Sequence, residues 1–366
     1  MYKRNWKKNL APSIRNPLFD NYGSFSDPHE VLVDCSFGVN PLRNLYLGSL
    51  GTLSLDGYNM YPSGGPHSNK RLADFILSRW PMVPAEAICF SAGSQGAIAS
   101  LAKIIGGEKS RILGYLPQFL PALLEFSLSG TQVDTIHLEA PDFRLNVESL
   151  LSALKPDTTA IYVDSPNNPT GRPMPLDDVK RLAEGCADRG VLLIMDEAYA
   201  DFVDDEESAL NLDMENIICL RSFSKGCGLA GLRIGYIVIR DKELRDIYYE
   251  LGLQFACSAL AADVAANLLP TLDLAAMRQD LKDLKQQTVN FMGQTQGVFL
   301  CDSHPQTPIV LVGWKGEESL YDRLMEHGIL AEPGRFFGID DSRVRLRIPS
   351  PTDFPLFCEL WEKAFG

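Results

Sequence analysis

The spacing of apolar residues changes along the chain. Between residues 87 and 239 short apolar runs recur at Ala87–Phe90, Arg111–Tyr115, Thr135–Leu138, Thr159–Asp164, Val191–Met195 and Ile217–Ser222, with a further run ending at Ile239. Helically spaced stretches at 97–105, 120–128, 147–155 and 177–188 separate the earlier ones. Short apolar runs bounded by turn residues read as buried strands, and a period near 3.6 reads as helix. Their alternation predicts an α/β unit with a mostly parallel central sheet between helical layers. Upstream, Val31–Ser36 predicts a short strand, and 68–80 predicts an amphipathic helix with Leu72, Phe75, Ile76 and Trp80 on one face. Downstream, 241–251 and 257–293 are helical, the second expected to kink across Pro270. From about residue 297, strand signals at 308–313 and 343–348 and helices near 317–327 and 353–365 predict a smaller α+β unit. The expected partition is an arm and small-domain segment over 1–45, a large domain over 46–255, and a linking helix with the C-terminal small domain over 256–366.

Composition narrows the class. The 366 residues carry 34 basic and 47 acidic side chains, a formal net charge of −13. Such a surface argues against non-specific binding to nucleic acid or anionic membrane. No run is long enough to span a bilayer. The N-terminus is basic but no apolar stretch follows it, so no signal peptide is expected. The eight cysteines show neither Cys-x-x-Cys pairs nor zinc spacing, so no metal is expected. Cys35, Cys89, Cys186, Cys219 and Cys257 sit among apolar neighbours and read as reduced core thiols, which suits the cytosol.

Candidate chemistry collects where strands end. Ligands of open α/β sheets gather at the carboxyl ends of strands. There stand the loop Ser91-Ala92-Gly93-Ser94-Gln95-Gly96, the turn Ser165–Gly171, the acid Asp196 with Tyr199, and Ser222-Phe223-Ser224-Lys225. A small-residue loop opening a helix offers free N–H groups to an anion. A lysine among apolar neighbours and beside a cation loses its proton easily and becomes a nucleophilic amine. Ser222, Ser224 and Arg233 suit an anion such as phosphate. Taken singly, each feature also has an ordinary reading: a strand-to-helix turn, a helix cap, a core phenylalanine at 119, a solvated lysine. Glu197 and the acids from Asp201 to Glu207 read as solvated surface. In Arg343–Ile348, Val344, Leu346 and Ile348 face one way and three arginines the other; a wet face accounts for two of the three.

The string Ser222-Phe223-Ser224-Lys225, followed by Gly228-Leu229-Ala230-Gly231-Leu232-Arg233-Ile234-Gly235-Tyr236, resembles the lysine segment of fold-type I pyridoxal-phosphate enzymes. The similarity is greatest to the histidinol-phosphate aminotransferase and threonine-phosphate decarboxylase group. Asn167-Asn168-Pro169-Thr170-Gly171 and Asp196-Glu197-Ala198-Tyr199 extend it, in order, over most of the chain after residue 30. The resemblance implies roles. Lys225 would carry pyridoxal 5'-phosphate and Asp196 would keep the pyridine nitrogen protonated. Asn168 and Tyr199 would meet the phenolic oxygen and Phe119 would stack on the ring. Gly93, Ser94, Gln95, Ser222, Ser224 and Arg233 would hold the phosphate, joined by Tyr61 from the other subunit of a homodimer. Arg347 would grip the substrate carboxylate near Asn40. Transfer of an amino group from an amino acid to a 2-oxo acid is the implied reaction. Decarboxylation, cyclisation or oxidation remain open on the same scaffold, and a non-catalytic cofactor-binding regulator is the reading from another class. Phospho-substrate members carry an arginine where this chain has Glu332, so Arg335 is the candidate replacement cation. Arg43, Tyr22, Ser258 and the 332–338 loop complete the expected pocket.

Overall fold

Strand signals of the first part of the chain pair into one sheet. The computed structural model describes residues 12–15, 17–19, 30–42, 45–46, 58–62, 66–253 and 255–366; Tyr22 and Arg43 lie outside the described residues. In chain order the strands are β1 (Val33–Asp34), β2 (Ile88–Ser91), β3 (Arg111–Leu116), β4 (Gln132–His137), β5 (Thr158–Asp164), β6 (Leu192–Asp196), β7 (Ile217–Ser222), β8 (Gly235–Ile239), β9 (Val298–Leu300), β10 (Ile309–Trp314), β11 (Ile329–Leu330), β12 (Glu332–Pro333) and β13 (Arg343–Arg347). The large sheet has the order β2-β8-β7-β6-β5-β3-β4. β8 pairs antiparallel with both its neighbours, while the remaining pairs are parallel. Its central strands β5 and β6 are buried on both faces because helices cover both, whereas the edge strand β4 is half-exposed. Ala160 and Tyr162 of β5 pack into one core, whereas Ile161 and Val163 pack into the other.

The second sheet is antiparallel, in the order β12-β13-β10-β9. The helices Leu320–Glu326 and Phe354–Phe365 pack with it through Leu324, Phe357 and Trp361. β1 pairs with β11, which ties the segment around residue 33 to this smaller unit. β9 and β12 were not expected from the sequence; two or three residues are too few to show a period.

Two expectations need correction here. The 257–293 helix is broken rather than kinked: Ala259–Leu268 and Leu274–Met292 are separated by a 3₁₀ turn at Leu269–Thr271. Pro270, inside that turn, has no N–H to continue the ladder. The arginine face of β13 is not wet. Arg345 is fully buried and Arg347 nearly so, only Arg343 remaining half-buried.

Candidate active site

The helix Gly93–Ile105 begins four residues earlier than its apolar period indicates, so Gly93, Ser94 and Gln95 form its first turn. Gly93 follows β2 with φ +72°, and a Cβ there would lie 3.1 Å from the Arg233 guanidinium and 3.7 Å from Ser222 Oγ. A glycine is needed because L side chains rarely adopt that backbone and because the arginine comes this close. Arg233 itself takes a left-handed conformation, φ 52°, which is uncommon for a non-glycine residue. Its Nη1 donates to Ser224 Oγ at 3.2 Å, and Ser224 N donates to Ser222 Oγ at 3.2 Å. One cation, two hydroxyls and a helix N-terminus thus converge on one place. Gln95 turns its amide away, donating to Glu125 at 3.1 Å, so only its backbone N–H faces this cradle's helix end.

Lys225 follows β7. The residue is half-buried, yet its amine is enclosed by protein and lies 5.6 Å from the Tyr199 ring centroid. Burial first, then the charges of Arg345 and Arg233, push its pKa down to about 8, against the opposing charges of Asp196 and Glu332. The backbone beyond it is pinned three ways. Asn40 Nδ2 donates to Gly226 O at 2.9 Å, the Tyr46 hydroxyl donates to Cys227 O, and Cys227 Sγ donates to Asp201 at 3.3 Å.

Asp196 ends β6. It accepts from the Tyr162 hydroxyl at 2.8 Å and from Ala198 N at 3.0 Å. Burial above all, with the charge of Asp164 and against the Tyr162 bond, lifts its carboxyl to about 7. Tyr199 is buried and its hydroxyl has no hydrogen-bond partner among the described residues. Gly38 lies against that hydroxyl, so near that an added Cβ would overlap it. Buried polar groups are normally satisfied. An unpartnered hydroxyl beside Lys225 therefore marks a place for a polar ligand atom. Asn168 Oδ1 accepts from Arg345 Nη1 at 3.1 Å, and Phe119 caps the helix Leu120–Leu128 at the same end of the sheet.

The structure places several of the expected residues elsewhere. Arg347 donates to Asp34 O and Ile348 O. The arginine that reaches Asn168 and acts on Lys225 is Arg345, which also donates to Ser36 O. The two lie on one face of β13, two residues or about 6.6 Å apart, and sequence alternation cannot tell them apart. Arg335 pairs with Asp341 and sits over the rings of Tyr321 and Phe336, so it is committed elsewhere. Asn40 uses both ends of its amide, on Gly226 O and on Leu42 N, and so positions the lysine loop instead of facing a substrate. Ser258 caps the helix Ala259–Leu268. Tyr61 is 83% exposed and packs 5.1 Å from Phe255, and is not brought to Lys225 by this chain.

Other residues were missed. Glu197 and Asp201 are buried, not solvated: Arg221 pairs with both, at 2.9 and 2.6 Å, and Arg79 pairs with Asp201 at 2.7 Å. Glu332 is fully buried, opposite Arg345 across β12 and β13, with 3.7 Å between carboxylate and guanidinium. No local pattern announces these pairings; they join distant segments.

A model of the family "Aminotransferase class I and II" matches residues 53–356. The chain belongs to that family. Its members are fold-type I enzymes that depend on pyridoxal phosphate, and the cradle, the enclosed amine, the buried acid and the unpartnered Tyr199 hydroxyl fit that group. A histidinol-phosphate aminotransferase from Methanococcoides burtonii is 34% identical over 247 residues, 63% of this chain and 66% of that enzyme, just under two thirds of its length. One from Methanosarcina mazei is 29% identical over 304 residues, 81% of this chain and 77% of that one. Among solved structures, the α-aminoadipate aminotransferase of Thermus thermophilus superposes with a TM-score of 0.81 at 20% identity, covering 98% of both chains. The L-threonine-O-3-phosphate decarboxylase of Porphyromonas gingivalis gives 0.70 at 22% identity, over 91% of this chain and 99% of that one. Both solved structures share the fold over nine tenths or more of this chain. Among the described residues no helix is long and apolar enough to cross a membrane, and all eight cysteines are free thiols.

Proposed function

We propose that the protein is an aminotransferase that moves an amino group between an amino acid and a 2-oxo acid. The observation that carries this is the enclosed Lys225 amine facing the Tyr199 ring, with Asp196 among the charges acting on it. When bound, pyridoxal phosphate supplies an aldehyde and an electron-accepting ring. The first turn Gly93-Ser94-Gln95, Ser222, Ser224 and Arg233 would hold its phosphate. Asp196 would face the ring nitrogen, Asn168 and Tyr199 the phenolic oxygen, and Phe119 the ring face.

The residues then divide the work. The lowered proton affinity of Lys225 leaves its amine neutral in a large share of molecules near pH 8, able to take a proton from the substrate Cα and return it nearby. Asp196 is kept from water and holds charge or proton at one fixed point. Arg345 offers a planar, permanently charged donor set to the substrate α-carboxylate. Glu332 sets an anion beside it. That disfavours a second anionic group on the substrate, so the substrates proposed are amino acids without a phosphate.

The test is a spectral one. Protein reconstituted with pyridoxal phosphate is mixed with a panel of amino acids, and loss of the cofactor's visible band is followed together with keto-acid and carbon dioxide release. Keto acid without carbon dioxide is expected, and Lys225→Ala should lower the rate by about 10²–10⁴, the usual weight of a positioned acid–base group. Carbon dioxide as the main product would instead make the enzyme a decarboxylase; no reaction with any amino acid would leave a binding protein.

We also infer a homodimer in which Tyr61 of one copy completes the phosphate site of the other. Tyr61, Met60, Leu253 and Phe255 form an exposed apolar set, 51–83% accessible in the single chain. Sedimentation should give twice the chain mass, and a monomer at micromolar concentration that still binds cofactor tightly would rule this out.

A further inference from the structure

Asp164 ends β5, beside β3, where the strand order turns: β4 lies outward of β3, while β5, β6 and β7 follow on its other side. This is the crevice where ligands of such sheets bind. The carboxylate is buried and takes five hydrogen bonds. Tyr115 Oη at 2.7 Å, Asn167 Nδ2 at 3.1 Å and Gln118 Nε2 at 3.3 Å donate to one oxygen. The backbone N–H groups of Asn168, at 2.9 Å, and Phe119, at 3.3 Å, donate to the other. None of the five donors is charged. One side chain therefore fixes two loops from different strands, and those loops carry the residues assigned above to the phenolic oxygen and to the ring face. Its negative charge also reaches Asp196, its register partner on β6, and Tyr199.

We propose that Asp164 is a positioning residue for the cofactor, setting through Asn168 and Phe119 where the ring lies between its edge and face contacts. The inference rests on the aminotransferase reading of the site. A carboxylate is required because it accepts with both oxygens. The amide of asparagine has one oxygen, so either orientation turns an N–H against donors that need an acceptor. Displacement of about 1 Å near a reacting centre can cost on the order of a hundredfold in rate.

The test compares wild type, Asp164→Asn and Tyr115→Phe, each reconstituted with pyridoxal phosphate. The readouts are the circular dichroism of the cofactor's visible band per bound molecule, cofactor affinity, kcat and KM of the amino-acid half-reaction, and thermal unfolding of the cofactor-free protein. Asp164→Asn should change the sign or lose most of the visible dichroism, weaken cofactor affinity, and lower kcat about a hundredfold while KM stays nearly level. Tyr115→Phe removes one donor on the far side of the carboxylate and should move the same signals in the same direction, less far; it carries the test if Asp164→Asn does not fold. Unchanged dichroism and kcat in a folded variant overturn the proposal, whatever happens to thermal stability. A wild type that binds no pyridoxal phosphate overturns the functional reading, and this inference with it.

Discussion

At the residue scale the decisive group is Lys225. Its ordinary proton affinity would leave it charged and unreactive at neutral pH. Burial and two arginines bring its pKa down to about 8. The neutral amine attacks an aldehyde, so loading of cofactor-free protein should accelerate as pH rises and level off above about 8. Stopped-flow absorbance across pH 6–10 checks this; a rate still climbing steeply between about 9 and 10 would mean an unperturbed lysine. The places of Lys225, Asp196 and the loop that opens at Gly93, each at a strand end, were legible in the sequence because each lies within a short segment whose own turn chemistry presents it. Tyr46 was not legible, since it meets Cys227 O from 181 residues away.

At the element scale β13 shows both what alternation reveals and what it leaves open. The sequence puts Val344 and Leu346 on the core face and three arginines opposite, and that holds. Which arginine serves the site depends on what lies across from each. Arg345 meets Asn168, Ser36 O and Glu332, whereas Arg347 meets carbonyls of Asp34 and Ile348. Removing Arg345 alone strips a buried carboxylate of a countercharge, which is strongly destabilising. The informative comparison is therefore Glu332→Gln against Glu332→Gln with Arg345→Gln. The second change should raise KM for the amino acid by about tenfold to a hundredfold, the worth of a charge-assisted bond of about 1.5–3 kcal/mol. Arg347→Gln should lower stability and leave KM unchanged. Steady-state kinetics with denaturant unfolding separates the two; a KM rise confined to Arg347→Gln would restore the assignment made from sequence alone.

At the scale of the whole molecule, buried charge joins the parts. Lys285, on the helix Leu274–Met292, is buried and donates to Ser303 Oγ at 2.6 Å, His304 O at 2.7 Å, Ile309 O at 2.9 Å and Thr307 Oγ1 at 3.0 Å. Thr307 in turn donates to Gly171 O at 3.0 Å, at the end of the Asn-Asn-Pro-Thr-Gly turn. One amine thus links the long helix, the start of β10 and the loop bearing Asn168. Lys285→Met should cost about 1–3 kcal/mol by taking the amine's bonds away from this buried group of oxygens. Burial pushes the Lys285 pKa down to about 7, so between about 7 and its usual 10.5 the folded protein binds fewer protons than the unfolded chain. This group's contribution to stability then increases with pH across that window, and is smallest below it. Melting temperatures from pH 6.5 to 10 should rise less steeply in Lys285→Met than in wild type; parallel curves would mean that the amine stays charged throughout.

The amino-acid sequence alone showed the alternation of strands and helices that builds the large sheet, the places of Lys225 and Asp196 at strand ends, and the turn chemistry of the loops, because period, turn residues and short motifs are properties of neighbours along the chain. Tertiary structure decided which of two equivalent arginines faces the site, that Glu197 and Asp201 are buried under Arg221 and Arg79, and that Asp164 ties together two loops. Those outcomes depend on groups brought together from segments tens to hundreds of residues apart. A side chain's charge state and partners follow from the space around it, and that space does not exist until the sheets have packed.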